Sequence, residues 1–420
     1  MANAFVPGRT RLVLVDNPSA GAPYLRAHDA FEIRPFSRRY VARNRTQDYD
    51  ELLLKKGMIL TPSSGRNLGP IAYVSDYLAR FAMTDIMRIV PNSEEEGFYL
   101  LAYLLTPTAQ ALIRKGRSGT TVDHLAPEEL LDIDVPWVSD DLARTTLVTD
   151  IRRAEEMLDK GRRGLDAAAV RLHSEARLAL EPPESTSYLS RDCGDAFSVP
   201  SRQIGLRLDA ASHDPTVMLC AQEIARKGGV VLDSVAQPIT LGRYVRYYVE
   251  PPHGRPILSG RQIMQVRPVN LRRISDRSFD RPEDFILKVG TTIFTCDGRS
   301  EEALGEPSYV MPVWNGWMAS EHLMRLEARA NVGHGYLYLA IASPWVQRQL
   351  KARASGSVID ALEPEEVSKI MIPLLPEPLR KGLNAEAERC WNLISDGIVL
   401  TDQVSERFEA MLGTSTTLVG

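Results

Sequence analysis

Apolar positions along the chain follow two spacings, and each spacing occurs twice. Leu100, Tyr103, Leu104, Ala111 and Leu112 recur at helical intervals, which predicts helix from Phe98 to Arg117 with Pro107 early in a second helix. Ile151, Leu158, Leu165, Leu172 and Ala179 fall seven apart, with Ala154, Gly161 and Ala168 interleaved. Near the other end, Trp391, Ile398, Ser405 and Leu412 form one seam and Ile394, Thr401 and Phe408 a second. Heptads of this kind predict two long helices packed on a helical partner; four heptads make a rod of roughly 40 Å or more. Gly161 and Gly164 either admit a close partner helix or mark a bend. Elsewhere, glycine before a short apolar run predicts strand–turn–strand: Lys56–Leu60 into Ser64-Gly65-Arg66 and back at Ile71–Val74, then Val289–Phe294 into Asp297-Gly298-Arg299 and back at Ser308–Val310. Ala82–Ile89 and Ala319–Leu326 make the next pair, both containing Met-Arg. Ile133–Val135 and Ile370–Ile372 are each expected to close a domain as a short strand before proline.

These pairs belong to one internal duplication. Residues Tyr99–Pro136 align with Tyr336–Pro373 at a constant offset, without a gap, and thirteen of 38 positions are identical. Chance would give roughly one in seventeen. The identities include Tyr99/Tyr336, Pro107/Pro344, Gln110/Gln347, Ser118/Ser355, Gly119/Gly356 and Pro136/Pro373. The period is too long for a solenoid and has the length of a domain plus a connector. The order is domain, rod, linker, domain, rod. The boundaries read as 1–139 and 204–376 for the domains, 140–181 and 377–413 for the helices, 182–203 for the linker and 414–420 for a tail. The second domain carries a prologue, from Arg207-Leu-Asp-Ala210 to Ile239, that the first lacks; it contains a predicted helix around Met218–Lys227.

Composition narrows the chemistry. The chain has 420 residues, 44% hydrophobic and 25% charged, with net charge −4. These values suit a globular protein and exclude a uniformly basic nucleic-acid coat, so any DNA contact must use local basic patches. No apolar run reaches membrane-spanning length and no secretory signal is evident. Cys193, Cys220, Cys296 and Cys390 are widely separated and the histidines have no ligand spacing, so neither zinc nor a disulfide framework is expected and a reducing cytoplasm fits. No N-P-P-Y or D-P-P-Y methylation motif, Walker A loop or dinucleotide fingerprint occurs. The chain is expected to be non-catalytic and to need no cofactor. His124, His173 and His322 show no evident partner and read as structural or exposed.

Arginine carries the binding expectation. Arg38, Arg39, Arg43 and Arg45, then Lys55, Lys56 and Arg66, form the basic set of the first half; Arg243, Arg246, Arg255, Arg261, Arg267, Arg272, Arg273, Arg277 and Arg299 form that of the second. Of these, Arg38, Arg39, Arg43, Arg66, Arg243, Arg246, Arg261 and Arg299 are the expected DNA contacts. Tyr40, Tyr244, Tyr247 and Tyr248 interleave with them. Arginine suits both bidentate reading of guanine and phosphate contact. Ser64-Gly65-Arg66 and Asp297-Gly298-Arg299, repeated turns with arginine, are the expected DNA-facing loops. Ser118-Gly119 and Ser355-Gly356 read as helix–strand corners.

The duplicated tyrosine-to-proline stretch with S-G-x-x-x-D and P-E-E, the heptad helix after each copy, and Arg207-Leu-Asp-Ala210 together resemble the specificity (S) subunit of type I restriction–modification enzymes (HsdS-like). The resemblance covers nearly the whole chain and departs at its start, where no R-x-D-A prologue precedes the first copy. It implies an α/β fold with two duplicated mixed α/β target recognition domains, each followed by a long helix, the two helices packing as an antiparallel coiled coil. It implies double-stranded DNA as ligand, read as a split site. It also implies DNA adenine methyltransferase (M) subunits, two of them, on the helical body, with a translocating restriction (R) subunit able to join, and a role in phage defence. Ile151, Leu158, Leu165, Leu172, Trp391, Ile394, Ile398 and Phe408 would pack the helices and support partner binding. A second reading stays open: a non-catalytic scaffold of a related defence complex that reads no defined sequence.

Overall fold

The computed structural model describes residues 1–8, 11–37, 39–65, 68–115, 124–185, 196–201, 204, 207–299, 303–329, 331–356 and 359–415. The strands are β1 (Ala2–Phe5), β2 (Leu14–Val15), β3 (Gly21–Leu25), β4 (Tyr40–Ala42), β5 (Ile59–Pro62), β6 (Ala72–Tyr73), β7 (Ala82–Met83) and β8 (Ile86–Pro91) in the first repeat. The second repeat holds β9 (Val230–Val231), β10 (Ala236–Thr240), β11 (Tyr248–Val249), β12 (Arg255–Leu258), β13 (Arg272–Ile274) and β14 (Thr292–Thr295). It continues with β15 (Asp297–Gly298), β16 (Pro307–Tyr309), β17 (Met318–Ala319), β18 (Leu323–Ala328), β19 (Asp360–Ala361) and β20 (Met371–Ile372). The helices are α1 (Tyr49–Leu52), α2 (Glu94–Leu104), α3 (Pro107–Lys115), α4 (Pro127–Leu131), α5 (Asp141–Glu175) and α6 (Pro215–Arg226). They continue with α7 (His334–Ile341), α8 (Pro344–Ala352), α9 (Pro364–Val367) and α10 (Glu377–Ser415). Two compact units result. Unit 1 comprises Met1–Arg163, Met264–Val269 and Leu393–Gly420; unit 2 comprises Gly164–Ile263 and Asn270–Asn392. Both long helices are therefore divided between the units.

Unit 1 is built on two four-stranded sheets, ordered β1-β8-β5-β6 and β2-β4-β3-β7. All neighbours are antiparallel except β3 and β7. Helix α2 is buried almost all round, because Phe98 to Leu104 are apolar on every face. Tyr99 and Tyr103 meet Phe408 of α10 with ring centroids 5.2 and 5.7 Å away. The Tyr99 hydroxyl donates to the Pro136 carbonyl at 2.6 Å and accepts from the Val138 N–H at 2.9 Å. The Gln110 amide donates to the carbonyls of Gly69 and Leu104. Arg88, 1% exposed, donates to the carbonyls of Glu51, Leu52, Leu53 and Met83. It closes the loop that carries α1 onto β8.

Unit 2 repeats this scheme. Its sheets run β10-β18-β14-β16 and β11-β13-β12-β17, with β12 and β17 the parallel pair. The Tyr336 hydroxyl bridges Pro373 and Leu375 as Tyr99 does its own pair. Gln347 holds Gly305 and Ile341. Arg325, 9% exposed, donates to the carbonyls of Ile286 and Asp284. Trp391 of α10 stacks on Tyr309 at 5.5 Å and meets Tyr338 edge-on at 5.0 Å. The identities found in the sequence thus fall on hydrogen bonds that recur in both units. Arg207-Leu-Asp-Ala210 acts as a clip: the Arg207 guanidinium pairs with Asp209 and donates to the carbonyls of Arg353 and Ala354 at the end of α8. The Ser355-Gly356 corner bridges to Ala361 through paired backbone hydrogen bonds; Ser118-Gly119 lies outside the described residues.

Within each unit the two long helices run antiparallel. In unit 1, Asp150 pairs with Arg407 at 2.6 Å, and a Cβ on Gly397 would stand 2.9 Å from the Ala154 carbonyl oxygen. In unit 2, a Cβ on Gly164 would stand 2.4 Å from the Cys390 sulfur, and Arg171 pairs with Glu386 at 3.1 Å. Gly164 therefore serves close approach, and α5 continues through it without a break.

Three expectations are corrected. Helix α5 ends at Glu175, so Ala179 lies beyond it and the heptad series is one member shorter. Arg177 takes a left-handed conformation (φ 56) and the Leu178 N–H returns to the His173 carbonyl, which terminates the helix before Pro182-Pro183. Ile133–Val135 forms no ladder, whereas Met371–Ile372 is β20. The partner of β20 is β9, which lies in the segment that precedes the second repeat. His173 does have a partner: its Nε2 is 2.8 Å from the Ser343 hydroxyl.

The two conserved-by-duplication arginines give the first test. Arg88→Met, which strands four carbonyls, two of them buried, should lower stability in urea unfolding by about 3 kcal/mol, and Arg325→Met by roughly half of that. Equal, near-zero changes would show that water replaces the guanidinium.

Glu155 gives the second. It is buried on α5 and burial pushes its carboxyl up to about 7; Arg162 and Arg267 act against this and Asp159 with it. Its folded value lies above the ordinary 4.5, so its contribution to stability is complete below that value and is lost as pH rises through about 7. Melting temperature should fall more between about pH 6 and pH 8 in the unaltered chain than in Glu155→Gln. Parallel pH profiles would contradict this.

Candidate nucleic-acid interface

Unit 2 brings three sequence-distant segments to one cavity, one of them bearing two arginines. The stretch 241–247 leads into β11 without regular structure, because Gly242 and the charged and aromatic run after it offer no alternating apolar pattern. Across from it, β14 runs into β15, and the turn between β17 and β18 presents Glu321 and His322. Together Arg243, Tyr244, Arg246, Asp297, Glu321 and His322 line a cavity of about 550 Å³.

Its electrostatics are mixed. Arg246 pairs with Glu321 at 2.8 Å, and His322 Nδ1 lies 2.8 Å from Asp297. Burial alone would raise the Glu321 carboxyl; Arg246 and a backbone donor reverse this and hold it below its ordinary range. The same pairing raises the Arg246 guanidinium. Burial, then the Glu321 carboxylate, pushes the Tyr244 hydroxyl up. Tyr244 also packs on Phe279 and Phe285, at 4.8 and 5.6 Å, so it forms the wall of the cavity. Behind the wall, burial with Asp297 nearby pushes the Cys296 thiol up to about 12, which leaves it unreactive as a nucleophile. The arrangement can donate and accept hydrogen bonds at its rim but holds no activated nucleophile.

The expected arginines divide by what they touch. Arg243 and Arg299 are exposed and make no ion pair among the described residues. Arg261 is half-buried on the helical turn Gly260–Met264. In unit 1, Arg39 is exposed, pairs with Asp16 at 3.2 Å and donates to the Leu14 carbonyl. Arg43, also exposed, stands over the Tyr49 ring at 5.4 Å. Arg38 and Arg66 lie outside the described residues. Tyr247 and Tyr248 are exposed, and Arg272 covers the Tyr248 ring at 4.7 Å. Arg273, by contrast, is spent on the carbonyls of His253 and Gly254.

The helix-packing set is placed inside the chain. Ile151, Leu158, Leu165, Leu172, Trp391, Ile394, Ile398 and Phe408 are all buried. Sequence reasoning passed over Glu321 and treated His322 as partnerless; its partner is 25 residues away and no local spacing announces it. Among the described residues, no group of His, Cys, Asp and Glu is placed to hold a metal ion, and no helix is long and apolar enough to cross a membrane.

No family model matches the chain, and no curated protein matches it. Solved structures do. The type I restriction–modification S subunit from M. genitalium is 12% identical with a TM-score of 0.29, over 98% of this chain and 94% of that one. The HsdS subunit from Thermoanaerobacter tengcongensis is 12% identical with a TM-score of 0.29, over 98% and 95%. A chain from a structure concerned with complex assembly and conformational transition of the type I R-M system is 14% identical with a TM-score of 0.29, over 97% and 98%.

Proposed function

We propose that the chain is the DNA-reading subunit of a type I-like restriction–modification complex. Each unit reads one half of a split site, adenine methyltransferase subunits dock on the helical body, and the chain itself performs no chemistry. The observation that carries this reading is the repetition of one strand order in both units, each tied to an antiparallel helix pair and each presenting exposed arginine beside a sheet. Two similar domains joined through long helices suit two short base blocks separated by unspecified base pairs. Helices of 35 and 39 residues are roughly 50–60 Å long, somewhat more than one turn of B-DNA.

A second reading, a scaffold in a defence complex without defined sequence reading, is favoured by two observations. The chain carries net charge −4, and Arg39 and Arg246 are already paired with carboxylates. The two readings differ in one measurement: binding of the chain, assembled with its methyltransferase, to DNA libraries randomised in one half-site at a time and at fixed salt. Under the first, Arg299→Ala alters preference in one half and Arg43→Ala in the other, with about 1–3 kcal/mol of discrimination lost per base-reading arginine. Uniform binding of every library member by the unaltered complex would leave only the scaffold.

Salt supplies an independent check. An arginine that contacts phosphate lowers the slope of log affinity against log salt by about one when removed, and weakens all sequences alike. Arg272→Ala, beside the exposed Tyr248, is expected to behave in this way. An unchanged slope would place Arg272 away from the DNA.

A further inference from the structure

The duplication supplies an internal comparison that separates what holds the units together from what distinguishes them. Strand registers fix the equivalences. Leu60 pairs with Arg88 as Ile293 pairs with Arg325, and Thr61 with Met87 as Phe294 with Met324. Farther along, Ser64 bridges to His124 where Asp297 bridges to Ala361. Ser64 therefore occupies the place of Asp297, and Thr84 and Asp85 the places of Glu321 and His322.

Three identical pairs are structural: Tyr99/Tyr336 and Arg88/Arg325 are buried, and Gln110/Gln347, half-buried in unit 1 and buried in unit 2, hold equivalent carbonyls. The rim positions differ in charge. Unit 2 has Asp297, Glu321 and His322, whereas unit 1 has Ser64, Thr84 and Asp85. In unit 1 the Thr84 hydroxyl is engaged by the Tyr24 hydroxyl at 2.8 Å and by Asp85 at 3.2 Å. In unit 2, Glu321 is held by Arg246, while Asp297 is bound by His322 on one side and remains 40% exposed toward the cavity. Arg243 is exposed on the same rim.

We propose that Asp297 is a specificity-determining acceptor that takes a hydrogen bond from the exocyclic amino group of one base, cytosine N4 or adenine N6, in the half-site read by unit 2. His322 orients the carboxylate and the Glu321–Arg246 pair fixes the wall beside it. A carboxylate accepts from an amino group and repels a carbonyl edge or a phosphate, so guanine O6, thymine O4 and the backbone are poor ligands here. The serine at the equivalent place in unit 1 both donates and accepts, so the two units favour different bases. The inference rests on the DNA-reading proposal above.

The test uses the full chain assembled with its methyltransferase. Asp297→Asn and Asp297→Ser are compared with the unaltered complex on DNA randomised in one half-site at a time. Asp297 is exposed on a two-residue strand, and serine is what the same strand position carries in unit 1, so both variants retain the fold; a matching circular dichroism melt verifies this. The expected result is a loss of about tenfold or more in preference at one position of one half-site. That position normally holds cytosine or adenine on the strand contacted, which separates the two amino sources. The other half-site and non-specific affinity should stay within about twofold. Unchanged preference at every position, or equal weakening of all sequences, overturns the role of Asp297 while leaving a two-block site intact. A complex that shows no preferred sequence before any substitution overturns the DNA-reading proposal itself.

Discussion

One hydroxyl in each unit decides where a long helix leaves its domain. Tyr99 donates to Pro136 and accepts from Val138, three residues before α5 begins at Asp141; Tyr336 does the same with Pro373 and Leu375, just before α10. A tyrosine that only donated would tether one end of the turn. One that does both fixes the direction of the backbone through it, and the Tyr99 ring is itself held against Trp137 and Phe408. The helix start is thereby referenced to the core of α2 or α7, and a rod of some 35 residues magnifies any error in that reference along its length.

Each domain is then completed by a helix end that the other repeat supplies. In unit 1 the far end of α10 brings Phe408 onto Tyr99 and Tyr103, its Ser405 onto the Leu105 carbonyl, and its Glu409 onto Thr108. In unit 2 the end of α5 brings His173 onto Ser343, and the turn after it offers the Ala179 carbonyl to the Trp345 indole. The pairs occupy matching places in the two repeats. A domain with only its own helix would leave an aromatic face and several polar groups without cover, which is costly for apolar surface of this size.

The duplication and the heptads were legible because they are patterns along the chain. Tyr99/Tyr336, Pro136/Pro373 and Gln110/Gln347 announced themselves as identities, and the long helices as sevenfold spacing. What those residues do was not legible, because their partners are carbonyls that are distant in sequence and carry no side-chain signature. Arg88 shows the limit clearly. In the sequence it is one more basic residue beside others expected to face DNA, yet it is consumed by four carbonyls, and only burial distinguishes it from Arg243. The helix stop at Arg177 was hidden for a similar reason: arginine rarely takes a left-handed conformation, and the two prolines downstream offered a more obvious stop. Met371–Ile372 is a strand because β9 pairs with it, whereas Ile133–Val135 meets no such strand among the described residues, and no local pattern separates the two cases.

The exchange of helix ends also sets an order in time. About 230 residues separate Arg163, where the first continuous part of unit 1 ends, from Leu393, where its last part begins. At a synthesis rate of roughly 5–20 residues per second, the first domain waits on the order of 10–50 seconds for the segment that completes it. During that interval Tyr99 and Tyr103 lack the ring of Phe408, the end of α2 lacks Ser405 and α3 lacks Glu409. The first half of a growing chain is therefore a ready acceptor for the C-terminal helix of a neighbouring chain on the same ribosome queue, and the length of the intervening repeat governs how long that competition lasts.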